Sequence, residues 1–272
     1  MSTDRAVSAS PVPSIDSAQL EERANTLRLM GLLANWDLAC SDPARLGWTS
    51  ELLCREENER ARRSLERRLR SAHIGRFKPL ADFDWSWPAH CDRTALLELM
   101  TLSFMDDATN VVLVGPSGVG KSMLAANLGH QALVQGRTVL YATAGQLLGD
   151  LAALDSDSAL RRRLRHYAGP DLLLIDEVGY LSYSNRHADL LFELISRRYE
   201  KKSTVLTTNR PFKEWKEVFP NAACVVSLID RLVHRCEVVA IQGDSYRLKE
   251  AKDRAAQKAA MRAATSRRAK KT

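Results

Sequence analysis

The chain has 272 residues, enough for one large α/β domain or for one such domain plus a small helical appendage, and 45% of them are hydrophobic, so a real core can form. Its formal net charge of +7 and pI of about 9.3 favour partners that carry phosphate, either nucleic acid or an anionic membrane surface. Five scattered cysteines, odd in number and without a CxxC pair, argue against a disulfide framework or a zinc site and for reduced thiols.

The first stretch, 1–17, is rich in Ser, Ala and Pro and reads as disordered. It lacks the apolar core of a secretory signal, and no run of 18 apolar residues follows anywhere, so a cytoplasmic protein without a membrane partner is expected. A small helical domain is expected over 18–80. Leu20, Ala24, Leu27, Met30 and Leu33 recur near helical spacing, and Trp36 and Leu38 extend the pattern to about Ala39. A second helix is predicted from about Thr49 to His73. Its Arg and Glu residues stand three and four apart, so they can pair along a solvated face, and the excess of Arg leaves a DNA-contacting face open. Phe83-Asp84-Trp85-Ser86-Trp87-Pro88 reads as an aromatic hinge that packs this appendage onto the next domain, with base stacking as the alternative.

The main domain is expected over 81–248. Strands are predicted at Asn110–Val114, Thr138–Ala142, Leu172–Asp176, Thr204–Thr207 and Glu237–Ile241, with helices in most of the gaps. That alternation implies an α/β fold with a central parallel sheet covered by helices on both faces. The helix Gly120–Gln135 is expected to end at Gly136 in the left-handed conformation. A basic tail, 249–272, closes the chain and reads either as a nucleic-acid-binding extension or as a solubilising end.

Gly115-Pro116-Ser117-Gly118-Val119-Gly120-Lys121-Ser122 fits G-x-x-x-x-G-K-[ST] between a buried strand and a helix. Glycines let the backbone fold so that its amides face phosphate oxygens, and the helix N-terminus adds partial positive charge there. Lys121 would neutralise β- and γ-phosphate charge, Ser122 would offer its hydroxyl to Mg²⁺, and Met123 follows in the first helical turn. Leu172-Leu173-Leu174-Ile175-Asp176-Glu177 is a buried strand ending in two carboxylates. Asp176 is expected to hold Mg²⁺ beside Ser122, and Glu177 to orient and polarise the attacking water. A water-directed Glu points to ATP hydrolysis rather than to a small-molecule phosphotransferase. Asn209, after the fourth strand, is the candidate for sensing the γ-phosphate. Arg231, inside an apolar helix, is the candidate for an arginine finger serving a neighbouring subunit, against the alternative of a surface pair with Asp230.

Taken in order, these elements resemble the IstB-like family of AAA+ ATPases, the helper ATPases of insertion-sequence transposition, which are related to the DnaC helicase loaders. The likeness runs from about Leu20 to Lys249. It rests on Arg68-Leu69-Arg70-Ser71-Ala72, Phe83-Asp84, Gly115–Ser122, Leu172–Tyr180, Leu191-Phe192 and Arg198-Tyr199-Glu200. It continues in Thr207-Thr208-Asn209, Glu214-Trp215, Val218-Phe219, Asp230-Arg231-Leu232-Val233-His234 and Ser245-Tyr246-Arg247-Leu248. The resemblance implies a P-loop AAA+ module with little or no C-terminal lid, preceded by a small helical domain. It implies ATP and Mg²⁺ as ligands, ATP-dependent homo-oligomerisation on duplex DNA, target selection, and recruitment of a transposase encoded by the same mobile element. Arg231 matches the family's arginine-finger position, and Arg247 lies where a second arginine sensor would stand. Arg161, Arg162, Arg163 and Arg165, between the second and third predicted strands, lie where related initiator and loader ATPases place helices near the DNA path, which makes them the DNA-contact candidates. Competing readings are a DnaC-like replicative helicase loader and a non-hydrolysing, nucleotide-gated DNA-binding protein.

Overall fold

A computed structural model of the chain describes residues 16–180, 183–219 and 223–269. The chain divides into two compact units that part between Glu66 and Arg67. The expected disordered stretch 1–17 lies outside the described residues except for Asp16 and Ser17. There the Asp16 side chain accepts from the Ala18 amide and caps the helix α1 (Ser17–Thr26).

In the first unit the single helix expected over Leu20–Ala39 is three: α1, α2 (Met30–Leu33) and α3 (Trp36–Ala39). The break has a local cause. Arg28 adopts a positive φ of 54°, and the amides of Arg28 and Leu29 turn back to the carbonyls of Asn25 and Ala24. Leu20, Ala24 and Leu27 pack with Leu53 of the long helix α4 (Pro43–Ala72), joined by Leu29, Leu33 and Trp36. Arg23 locks the same face through a two-pronged bond to Glu57, at 2.8 and 2.7 Å. The paired charges read from the sequence are present on α4: Glu51 with Arg55, Glu56 with Arg60, and Glu59 with both Arg62 and Arg63. Together the two arginines hold the Glu59 carboxyl down at about 2.

The second unit is built on a six-stranded sheet. Its strands are β1 (His90–Cys91), β2 (Asn110–Val114), β3 (Val139–Thr143), β4 (Leu172–Val178), β5 (Ser203–Thr208) and β6 (Cys236–Gln242). The order is β1-β6-β2-β5-β4-β3, parallel throughout except for β1, which runs antiparallel to β6. β4 and β5 are interior strands, which is why β4 opens on the unbroken apolar run Leu172–Ile175 and β5 is apolar and hydroxylic throughout. Strand alternation sends Leu140, Leu173, Ile175 and Leu206 to one face, where they pack with α7 (Ala144–Ala152), α8 (Asp157–Ala168), α9 (Asn185–Arg198) and α11 (Val225–His234); a short helix, α10 (Trp215–Val218), places Trp215 in the same core. Val139 and Leu174 point to the opposite face, against Gly129 of α6 (Lys121–Val134); α5 (Arg93–Leu99) precedes β2. This parity puts Tyr141, Asp176 and Thr207 on the α6 side of the sheet.

Gly136 ends α6 as expected, at φ +89°, with the amides of Gly136 and Arg137 returning to Leu133 and Ala132. The tail is a helix in the described residues, α12 (Tyr246–Ala269), with Lys270 and Lys271 beyond them. One buried cation braces the sheet. The guanidinium of Arg198, 1% exposed, donates to the carbonyls of Ala168, Pro170, Asp171 and Ser203 and to the Thr204 hydroxyl. Burial pushes it down to about 10, so it stays charged at neutral pH. It ties together the entry ends of β4 and β5, the two strands whose exit ends carry Asp176 and Thr207.

Candidate nucleotide-binding site

β2 runs into the phosphate loop at the exit edge of the sheet, and α6 leaves it there. Gly118 and Gly120 have φ of +84° and +103°, a region that side chains rarely tolerate. The first glycine is required for a different reason: a methyl on Gly115 would stand 2.0 Å from the Ile241 carbonyl oxygen of β6. Lys121 is 9% exposed, and its ammonium donates to the carbonyls of Gly115 (2.7 Å) and Pro116 (2.8 Å). Burial pushes its pKa down; the nearby Asp176 charge opposes that shift, and Arg247 adds to it. A polyanion entering the loop would therefore meet a poorly solvated cation, held only by neutral carbonyls, at a helix N-terminus.

Asp176, 4% exposed, is the hub beneath the loop. The Ser122 hydroxyl donates to its Oδ1 at 2.9 Å, the Thr207 hydroxyl donates to the same oxygen, and the Tyr141 phenol donates to Oδ2. Thr207 also accepts the Glu177 amide at 3.0 Å. Glu177 itself has φ 62°, and the pairing of β4 with β5 shifts register between Ile175 and Val178. The irregularity turns Asp176 into the sheet while leaving the adjacent Glu177 exposed in the cleft. The donor set fits Mg²⁺: one hydroxyl and one carboxylate, all hard oxygens, leaving room for phosphate oxygens and water.

A cleft of about 340 Å³ opens over these groups. Ser117, Gly118, Val119, Gly120, Lys121, Ser122 and Met123 form its floor; Tyr141, Glu177, Thr207, Thr208 and Asn209 line it as well. Its remaining wall was not legible as such in the sequence. Phe83 and Trp87 of the aromatic segment 83–88 line the cleft. Phe83 lies so close to Gly120 that a methyl there would come 2.6 Å from its ring. Trp87 stacks edge-on with Tyr246 and donates its indole N–H to the Asp244 carbonyl. Lys249 of α12 bonds Asp84 at 3.1 Å and lies over the Trp87 ring. The amide of Tyr246 donates to the Gly118 carbonyl, so the start of α12 is bound directly to the phosphate loop, and Arg247 projects into the cleft.

Two groups of candidates lie elsewhere. Arg231 is absent from the cleft wall. It donates to the Ser196 hydroxyl and sits 4.5 Å over the Phe192 ring of α9. Leu232 beside it accepts from Asn110 at the entry of β2, the end of the sheet opposite the phosphate loop. On α8, Leu164 and Tyr167 are buried, whereas Arg161, Arg162, Arg163 and Arg165 are exposed, and Arg163 pairs with Asp150 at 3.3 Å. Among the described residues no helix is long and apolar enough to cross a membrane.

Residues 23–255 match the family model described as IstB-like ATP binding protein. A protein of insertion sequence IS21 from Pseudomonas aeruginosa, named for ATP binding, is 38% identical over 204 residues, spanning 74% of this chain and 77% of that one. Its counterpart in IS5376 of Geobacillus stearothermophilus is 35% identical over 199 residues, spanning 73% and 79%. Among solved structures, that of DnaI is alike in fold, with a TM-score of 0.51 at 19% identity over 62% of this chain and 93% of that one. The phosphate loop, the acidic strand end beneath it and the match over most of the length agree: the chain belongs to the IstB-like ATP-binding protein family.

Proposed function

We propose that this protein is an ATP-dependent DNA-binding AAA+ ATPase that assembles with copies of itself on duplex DNA, selects target DNA, and recruits and stimulates the transposase of its mobile element. The observation that carries the reading is the joined set Ser122–Asp176–Thr207–Glu177 beneath a phosphate loop, in a chain of the IstB-like family. Its relatives are named for insertion sequences and ATP binding, and the exposed arginines of α8 with the basic α12 supply the charge that duplex DNA requires.

The loop amides and Lys121 bind the ATP phosphates, the ammonium exchanging the Gly115 and Pro116 carbonyls for phosphate oxygens. Ser122 and Asp176 would hold Mg²⁺, which would supply neutralisation of phosphate charge. Glu177 faces the cleft and orients water for attack on the γ-phosphorus. Asn209 contacts the γ-phosphate from the end of β5, and Arg247 approaches the phosphates from α12. Arg231 lies too far from its own cleft to act there and serves a neighbouring copy, so ATP sits at a subunit boundary and favours assembly.

Particle size and binding to random-sequence duplex and single-stranded DNA, each with ATP, ADP or no nucleotide, test the reading. Large assemblies on duplex DNA in ATP alone, absent in Lys121→Ala and persistent in Glu177→Gln, are expected. An ATP-dependent preference for single strands would replace this reading with a helicase loader. Gating by ATP without phosphate release would replace it with a non-hydrolysing DNA-binding protein.

A further inference from the structure

Asp176 is gripped from three elements at once. Ser122 reaches it from α6 and Thr207 from β5, both at Oδ1, whereas Tyr141 reaches Oδ2 from β3, the edge strand on the other side of β4. In the register of β3 with β4, Thr143 stands opposite Asp176 and Tyr141 opposite Leu174. Tyr141 is thus two residues short of the carboxylate along the strand, about 7 Å, on the same face of the sheet. A hydroxyl on Ser or Thr at this position would fall short of that gap. A phenol spans it, and the side chain lies along the cleft wall with its ring half-buried.

We propose that Tyr141 is a positioning residue for the metal-binding carboxylate: its hydroxyl fixes the plane of Asp176 so that the carboxylate and Ser122 present oxygens to one cation. The proposal rests on the reading of this cleft as the ATP–Mg²⁺ site. The torsion that turns an Asp carboxylate about its own axis is broad and weakly restrained. Two donors on Oδ1 leave the group free to pivot about that oxygen, and the bond to Oδ2 removes the pivot. Asp176 is 4% exposed, so no bulk water replaces the phenol when it is lost. A tyrosine kept only for edge packing would be replaced silently by Phe, which retains the ring.

The test is the affinity for ATP of the full chain, measured with excess Mg²⁺ and again with EDTA, in wild type, Tyr141→Phe and Lys121→Ala, with urea midpoints recorded for each. The ratio of the two affinities is the metal's share of binding. Tyr141→Phe is expected to cut that ratio about tenfold, equal to about 1.4 kcal/mol, by weakening ATP only when Mg²⁺ is present and leaving the EDTA value in place, while the urea midpoint falls as loss of a bond to a buried carboxylate requires. An unchanged ratio, an equal loss in both media, or tighter binding in Mg²⁺ would each overturn the positioning role. A Lys121→Ala variant that binds ATP as wild type does in both media would instead overturn the assignment of the cleft itself.

Discussion

Thr207 joins the two acidic residues that the proposed hydrolysis needs, one through its carboxylate and the other through its backbone amide. Its hydroxyl donates a hydrogen bond to Asp176 and accepts one from the Glu177 amide, and the residue is 2% exposed. Thr207→Val keeps the shape and removes both bonds. A hydrogen bond to an ionised group is worth about 1.5–3 kcal/mol and an amide bond about 0.5–1.5 kcal/mol, so the loss in folding stability should be about 2–4 kcal/mol. The catalytic loss follows from the backbone. Glu177 sits at φ 62°, which costs a residue with a side chain about 1–2 kcal/mol, and the bond to Thr207 helps to hold it there. Freed of it, the carboxylate drifts, and a displacement of about 1 Å lowers turnover roughly a hundredfold. Steady-state ATPase measurement should show kcat falling by that factor with a smaller change in KM, while Thr207→Ser stays within about threefold of wild type, a margin of under 1 kcal/mol. A valine variant that turns over within threefold of wild type, under conditions where Lys121→Ala is inactive, would refute the coupling.

Arg231→Ala should leave ATP affinity within about twofold, yet lower turnover in the assembled state by about 10³ or more; mixing it with Glu177→Gln subunits, which keep Arg231, should restore part of the activity. Replacing Arg161, Arg162, Arg163 and Arg165 together with Ala should flatten the dependence of log affinity for duplex DNA on log salt by about three units, at about 0.9 per phosphate contact. The figure is three rather than four because Arg163 already answers Asp150, and an unchanged slope would remove α8 from the DNA path. Arg198→Met should destabilise the protein by about 3–5 kcal/mol in urea unfolding, since four carbonyls and a hydroxyl lose a charged donor; a loss under 1 kcal/mol would mean that those carbonyls find other partners.

Five strands of the sheet and the phosphate loop were legible because each carries its reason locally. A continuous apolar run marks an interior parallel strand, and glycines at fixed spacing mark a loop that only they can trace. The two-residue strand His90–Cys91 was not, since so short an element exists only through its pairing with Ile241 and Gln242. Nor was the break in the first helix, because Arg28 takes a left-handed conformation with no glycine to announce it. In the site, Lys121, Ser122, Asp176 and Glu177 stood out by motif, and the structure brings them together. Tyr141 did not, and Thr207 entered only within the segment Thr207-Thr208-Asn209, without a role of its own: a Tyr and a Thr inside strands are what strand propensity alone would place there. Their meaning lies in the register of β3 and β5 against β4, a long-range property. The place of the aromatic segment 83–88 along the cleft was hidden for the same reason. Its apolar character shows that it packs, and only the fold shows that it packs along the nucleotide cleft.

The amide of Tyr246 held by the Gly118 carbonyl also governs how this chain can be shortened. The basic C-terminal stretch looks detachable from composition, a convenient place to trim for expression or to graft a fusion. A cut after Asp244 would carry away Tyr246, Arg247 and Glu250 from the cleft wall, strip the Lys249 partner from Asp84, and leave a carbonyl of the phosphate loop without its donor. The shortened protein would have a damaged nucleotide pocket, and a loss of DNA binding in it would say nothing about the lysines and arginines removed. Deletions meant to ask what the tail touches should therefore begin beyond Glu250, where α12 has left the pocket.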